Sequence, residues 1–249
     1  MSTPRGGPTL ERDGIVVGRQ DYGEADRILR LLTPDAGRVA VIARGARSDR
    51  SRWASLDIGV RALVRTRSGR RDLEPLVEAT VTEARVALRG SLLRLATAAY
   101  CCDVAGGIAR EGHAEPRLFG LLETMLLLLD AAHEDPKDAL LAGFEAKALT
   151  FVGVTPVLTR CVACGDPLDG TLLYAPGVGG LVHRRCAPEE NATPVSAEHA
   201  LALEAARRRP LAESLDLSLP PGPRGLLYGS IAAHLGRALH ARAVLDSVS

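Results

Sequence analysis

The chain has 249 residues, 46% hydrophobic and 24% charged, with a formal net charge of +1, which are ordinary proportions for a globular protein with a sizeable apolar core. Its five cysteines are an odd number, which argues against a complete disulfide framework and for a reducing cytoplasm. The most apolar stretches, LFGLLETMLLLLDAA and SLLRLATAAYCCDVAGGIA, are broken by Glu123, Arg94 and Asp103 and fall short of a membrane span, and the opening MSTPRGGPTLERD lacks the apolar run of a signal peptide.

Lys137 and Lys147 are the only lysines, so 29 of the 31 basic residues are arginine; such a bias can follow genome composition, and placement is therefore more informative than abundance. Residues 1–90 carry a net charge of +5 and the remainder −4, and Arg38 to Arg71 holds ten arginines against Asp49 and Asp57 alone. A local field of that sign suits a polyanionic partner, which the rest of the chain repels.

In chain order, residues 1–12 read as a flexible N-terminus. Residues 13–84 then hold five short runs rich in Val, Ile, Leu and Thr: GIVVGRQ, DRILRLLT, GRVAVIARG, VRALVRTRS and LEPLVEATVTEA. The turn signals DYGEA, TPDAG, SDRSRWASLD and SGRRD separate them. Five strands in so short a span predict a small closed or partly open barrel, either oligonucleotide-binding (OB) or SH3-like. From about residue 89 the period changes to that of buried helices, in RGSLLRLATAAYCCDVAGGIAREG and PRLFGLLETMLLLLDAAHED, and Pro136 fits the first turn of a third helix, PKDALLAGFEAKALTFVG. An irregular segment, 156–191, interrupts the helices. SAEHALALEAARRR and a long terminal helix RGLLYGSIAAHLGRALHARAVLDSV follow. The expected layout is α+β and multidomain: a barrel at 13–84, a helical domain formed by 85–155 and 192–249, and an insert at 156–191.

The insert concentrates the cysteines. Cys161-x2-Cys164 is followed, after eighteen residues, by His183-x2-Cys186. Two short-spaced ligand pairs each supply one edge of a tetrahedron, so the spacing predicts one structural Zn²⁺ per chain, with no open position for a catalytic water. A glycine-rich segment with few large apolar side chains needs such a ligand to become ordered. Other readings of the same residues are a surface His183 with fewer ligands, a redox disulfide, or a Cys186 nucleophile activated by His183. Cys101 and Cys102 are adjacent in an apolar helix and face different sides of it, which suits packing better than metal binding.

The arginines fall in two groups. Arg38, Arg44, Arg47, Arg50 and Arg52 lie on the third run and the loop after it, and Arg65, Arg67, Arg70 and Arg71 on the fourth run and its turn. Loop guanidinium groups can meet phosphates bidentately, and strand alternation puts Arg65 and Arg67 on one face. Before residue 85 the only aromatic residues are Tyr22 and Trp53, so affinity for nucleic acid should come from charge and not from stacking. Neutralising about five phosphates would give a slope of log K against log salt near −3.5 on single strands. Trp53 either stacks on one base or plugs an end of the barrel.

No phosphate-binding loop, nucleophile elbow or H-E-x-x-H motif occurs, and the histidines outside the insert are isolated, so no enzyme is expected. Two rival classes remain. A zinc-stabilised adaptor that binds only protein would leave the arginines as surface charge, and a thiol hydrolase would use Cys186 and His183.

The stretches YGEADRILRLLTPDAGRVAVIARGAR, SLLRLATAAYCCDVAG, FEAKALTFVGVTPVLTRCVACG and LLYGSIAAHLGRALHARAVLD together resemble the bacterial RecO family of DNA repair and recombination mediators, over nearly the whole chain. The resemblance implies an N-terminal OB-fold barrel, a helical domain and, in many members, a zinc-binding module. It implies a non-enzymatic cytoplasmic protein, associated with the nucleoid and not with a membrane, that binds single- and double-stranded DNA and anneals complementary strands. With RecR, and often RecF, such a protein helps to load RecA onto DNA coated by single-strand-binding protein, whose acidic C-terminal tail contacts the helical domain. Zinc-bearing members usually have cysteine at the third ligand position, where this chain has His183, itself a sound Zn²⁺ ligand.

Overall fold

The computed structural model describes residues 8–67, 73–187 and 192–248. The chain divides into two compact units, Met1–Asp130 and Ala131–Ser249.

In the first unit, β1 (Thr9–Tyr22), β2 (Asp26–Thr33), β3 (Gly37–Ala43), β4 (Arg61–Arg67) and β5 (Leu73–Glu83) close a barrel in the order β1-β2-β3-β5-β4. β3 and β5 pair parallel while β1–β2, β2–β3, β4–β5 and β1–β4 are antiparallel. This closure is that of an OB-like barrel. Alternation along the strands sends Leu29 and Leu31, Val39, Val41 and Ala43, and Ala62 and Val64 inward to join Val16 and Leu76. A register shift between Val16 and Gly18 bends β1, so that Thr9–Ile15 pairs with β4 and Ile15–Tyr22 with β2.

β1 begins at Thr9, so residues 9–12 belong to a strand and not to a flexible terminus. The reason lies far along the chain. Arg12 donates to Glu74 at 2.7 Å, and Thr66 Oγ1 donates to the same carboxylate at 2.5 Å, so a residue that reads as part of a polar tail has its partner on β5.

Two helices complete this unit. α1 (Leu92–Ile108) starts at Ser91, whose side chain accepts from the Arg94 N–H, and it lies on the outside of β1. Gly106 permits the contact, since a Cβ there would sit 2.8 Å from Val17 Cγ2. Cys101 and Cys102 are fully buried, as expected for packing residues, and burial pushes the Cys102 thiol up to about 12. α2 (Pro116–Ala131) is held to the barrel by charge. Arg61 donates to Asp13 at 2.9 and 2.5 Å and to Glu123 at 3.2 Å, while Arg85 donates to Glu123 at 2.5 Å and to the Gly59 carbonyl. The turn between β2 and β3 is tied to the segment after α1. Gly37 has φ +64 and backs onto the Arg110 and His113 carbonyls, and Arg38 N–H donates to the Arg110 carbonyl at 3.1 Å.

In the second unit, α3 (Asp138–Phe151) begins after Lys137, whose extended backbone leaves Pro136 outside the first turn where the sequence pattern had placed it. The segment expected to be irregular contains two four-residue strands, β6 (Leu172–Ala175) and β7 (Gly180–His183), all eight residues buried. With β8 (Thr193–Val195) they form a sheet of order β7-β6-β8. α4 (Ala197–Arg208) is capped by Ser196 at its start, and Lys147 Nζ donates to the Arg207 and Arg209 carbonyls at its end. The expected long terminal helix is two: α5 (Tyr228–Leu235) and α6 (His240–Val248). Gly236, at φ +65, ends the first in the left-handed cap that glycine adopts without a Cβ penalty. The Tyr174 and Ser230 hydroxyls, 2.6 Å apart, join β6 to α5.

Candidate functional sites

The loop joining β3 to β4 covers one end of the barrel. Trp53 and Leu56 are buried in the barrel core, and the Trp53 indole N–H donates to the Arg44 carbonyl at 3.0 Å. Trp53 is therefore the plug and not a base-stacking platform, because an apolar ring under an open barrel end gains more from burial than from exposure. Its face is covered by the Arg52 guanidinium, 4.1 Å from the ring centroid. The start of the loop lies against the β1–β2 turn: Gly45 N–H donates to Asp26 and Arg47 N–H to the Ala25 carbonyl.

The arginines separate by partner. Arg47 donates to the Gly23 and Glu24 carbonyls at 3.0 and 3.1 Å and lies 3.3 Å from Asp21. Arg38 is engaged by Glu111 at 3.0 Å and the Gly106 carbonyl at 3.1 Å. Arg65 shares an outer face with Arg67, but Glu78 lies 2.5 Å from it, and Glu11 is its cross-strand neighbour on β1. Asp21 is held below the usual carboxylate range, mainly by the hydrogen bond from Arg27 and also by the charge of Arg47. Arg44, Arg50, Arg52 and Arg67 are exposed, and none has a carboxylate partner among the described residues. Arg70 and Arg71 lie outside the described residues.

The second site is the insert. Cys161, Cys164, His183 and Cys186 bring four ligand atoms within 4.8 Å of one another. Tetrahedral zinc with Zn–S near 2.3 Å needs ligand separations of about 3.8 Å, so the donor set fits with small adjustments. The local chain supplies the geometry. Gly165, at φ +81, reverses the Cys161–Cys164 turn, and Gly165 N–H donates to the Cys161 carbonyl at 2.9 Å. β7 ends on His183, and a single 3₁₀ turn, Arg184–Cys186, carries Cys186 back to it. Val162 N–H donates to the Leu181 carbonyl at 2.8 Å, which locks the first ligand pair to the strand that bears the second.

Burial pushes the Cys161 thiol up, but N–H groups of Cys164, His183 and Ala163 and the Cys164 thiol surround its sulfur and bring it down to about 6. Cys164 is drawn down by the Asp166 N–H, yet burial and hydrogen bonding with Cys161, Asp166 and Cys186 carry it up to about 11. Sulfurs this close hold protons between them, an arrangement in which a divalent cation could take the protons' place. His183 is buried and hydrogen-bonded on both ring nitrogens, so it is not a surface histidine. The sequence pattern found the four ligand candidates but not Asp169, an oxygen of which lies 3.1 Å from His183 Nε2; only its place five residues beyond Cys164 hinted at it.

Comparison with known proteins places these features in a family. Residues 8–85 match the family model described as Recombination protein O N terminal, and residues 89–243 match Recombination protein O C terminal. The chain is 38% identical over 244 residues to the DNA repair protein RecO of Anaeromyxobacter dehalogenans strain 2CP-C, covering 94% of this chain and 95% of that one. It is 34% identical over 235 residues to RecO of Symbiobacterium thermophilum, covering 92% and 88% of the two chains, and 34% identical over 232 residues to RecO of Myxococcus xanthus, covering 91% and 93%. With both halves matched in order and relatives aligned nearly end to end, the chain belongs to the RecO family of DNA repair proteins.

Proposed function

We propose that this chain is a non-enzymatic recombination mediator that grips DNA by charge at the plugged end of its barrel. The observation that carries the reading is the set of exposed guanidinium groups of Arg44, Arg50 and Arg52, without carboxylate partners among the described residues, on a loop packed against the β1–β2 turn of an OB-like barrel. OB barrels use the β1–β2 and β4–β5 loops for oligonucleotides, and Arg70 and Arg71 belong to the second of these by sequence. With Trp53 buried, binding rests on phosphate contacts and is indifferent to base sequence. A surface of that kind holds two polyanions together without reading them, which is what annealing of complementary strands requires.

The remaining parts of the reading follow from family membership: binding of single- and double-stranded DNA, joint action with RecR and RecF, contact with the tail of single-strand-binding protein, and loading of RecA in the cytoplasm at the nucleoid. Residues 156–191 act as a module stapled by one structural Zn²⁺ held by Cys161, Cys164, His183 and Cys186. Among the described residues no helix is long and apolar enough to cross a membrane.

The engagement of Arg38, Arg47 and Arg65 by acidic groups favours the rival protein-only adaptor, since those guanidinium groups are already satisfied. A mobility-shift series in increasing salt decides between the two. The joint change of Arg44, Arg50 and Arg52 to Ala should weaken single-strand binding and flatten the salt slope by about 2, at roughly 0.7 per phosphate lost. An adaptor would show no retardation of wild-type complexes even at low salt.

A further inference from the structure

The imidazole of His183 meets different chemistry at its two nitrogens. Nδ1 lies 3.5 Å from Cys164 Sγ, inside the cluster of candidate ligands. Nε2 lies 3.0 Å from the Pro167 carbonyl oxygen and 3.1 Å from Asp169 Oδ1. Both oxygens only accept hydrogen bonds, so the single proton of a neutral imidazole belongs on Nε2, and the Nδ1 lone pair is left facing the sulfurs. Pro167 and Asp169 are brought there by the CGDPLDG turn, where Gly165 and Gly170 both take positive φ.

We propose that Asp169, together with the Pro167 carbonyl, is a positioning residue for the metal: it accepts from Nε2–H and so fixes Nδ1 of His183 as the ligand atom. This rests on the zinc reading of the insert. It also gives a physical role to the histidine in place of a third cysteine, because a thiolate needs no outer partner to orient it, whereas an imidazole has two edges and must be told which to present. Arg185 Nη1, 3.8 Å from the same carboxylate oxygen, steadies Asp169 from the solvent side.

The test is a competition titration of the full chain against a chromophoric chelator for Zn²⁺, in wild type, Asp169→Ala, Asp169→Asn, His183→Cys and the double variant His183→Cys with Asp169→Ala. Loss of an outer-shell partner typically weakens a site by about 10- to 100-fold, and since the Asp169 side chain is 72% exposed and the Pro167 carbonyl remains, Asp169→Ala should lie near tenfold. Asp169→Asn keeps an accepting oxygen and should stay within about threefold of wild type. In the His183→Cys background the Asp169 change should have no effect, because sulfur carries no second N–H. The charge-transfer and visible bands of the Co²⁺-loaded protein should report three sulfurs and one nitrogen in both wild type and Asp169→Ala. Equal Zn²⁺ affinity of wild type and Asp169→Ala, or a tenfold loss that persists with His183→Cys, would overturn the inference. A wild-type chain that never competes with the chelator would instead overturn the zinc reading beneath it.

Discussion

Glu123 stands between two arginines, and its removal should cost the first unit more than any single surface ion pair. Arg85 is buried, its side chain 3% accessible, and among the described residues it bonds only Glu123 and the Gly59 carbonyl, so without Glu123 the carbonyl alone remains. Arg61 loses less, since Asp13 still binds it through two nitrogens. Breaking a buried pair by deleting one partner typically costs about 3–5 kcal/mol; Glu123 is 23% accessible, so water can partly replace it and about 3 kcal/mol is the expected loss for Glu123→Ala. At roughly 3–5 °C per kcal/mol for a unit of this size, the melting midpoint falls by about 10 °C. Glu123→Gln, which retains one accepting oxygen, should lose about half as much. Trp53 is the only tryptophan and sits in the barrel core, so its emission during urea unfolding reports on this unit alone. The double change Arg85→Met with Glu123→Leu removes both buried charges and should recover much of the loss. An unfolding midpoint for Glu123→Ala equal to that of wild type would refute the reasoning.

Acid should weaken the barrel through Glu74. Burial raises this carboxyl, but hydrogen bonds from Arg12 and Thr66 take it below its ordinary 4.5, so it contributes stability above about pH 4.5 that is lost as pH falls further. Arg12→Met should therefore lower stability at neutral pH and flatten the decline below pH 4.5; an unchanged acid limb in the Trp53 emission series would count against it. Gly236→Ala places a Cβ at φ +65 and should cost about 1 kcal/mol by circular dichroism, with Gly236→Asn closer to neutral, whereas a stabilising Gly236→Ala would show that α5 and α6 prefer to run on as one helix. Chelation should release about one zinc per chain and make the second unit more susceptible to protease while Trp53 emission is unaltered; metal-free protein of undiminished resistance would remove the structural role.

The barrel was legible because its strands alternate and its turns carry their own residues, so period and punctuation agree along 13–84. Its start was not, because Arg12 looks polar until Glu74 is brought beside it. The cluster of Cys161, Cys164, His183 and Cys186 was legible from spacing alone, whereas β6 and β7 were hidden: four-residue strands divided by Pro176, Gly177 and Gly179 carry too few periods to show. Gly236 was missed for the opposite reason, since a strong helical pattern on both sides masks one residue with positive φ. The loop arginines illustrate a further limit. Their number signals a field, but which of them remain available depends on Asp21, Glu78 and Glu111, brought to them by folding across the chain.

The tie between the β2–β3 turn and the segment after α1 sets where this protein can be divided. A fragment ending near residue 84 has every barrel strand, yet it strips Gly37 and Arg38 of the Arg110 and Glu111 groups that close over them and leaves Arg61 without Glu123. A piece that keeps these contacts extends to Asp130, and limited digestion should nick the exposed connection around residues 133–137 well before it opens the junction near 85. During synthesis the same dependence delays a finished barrel until some fifty residues past its last strand have left the ribosome, so the barrel matures together with the two helices that follow it.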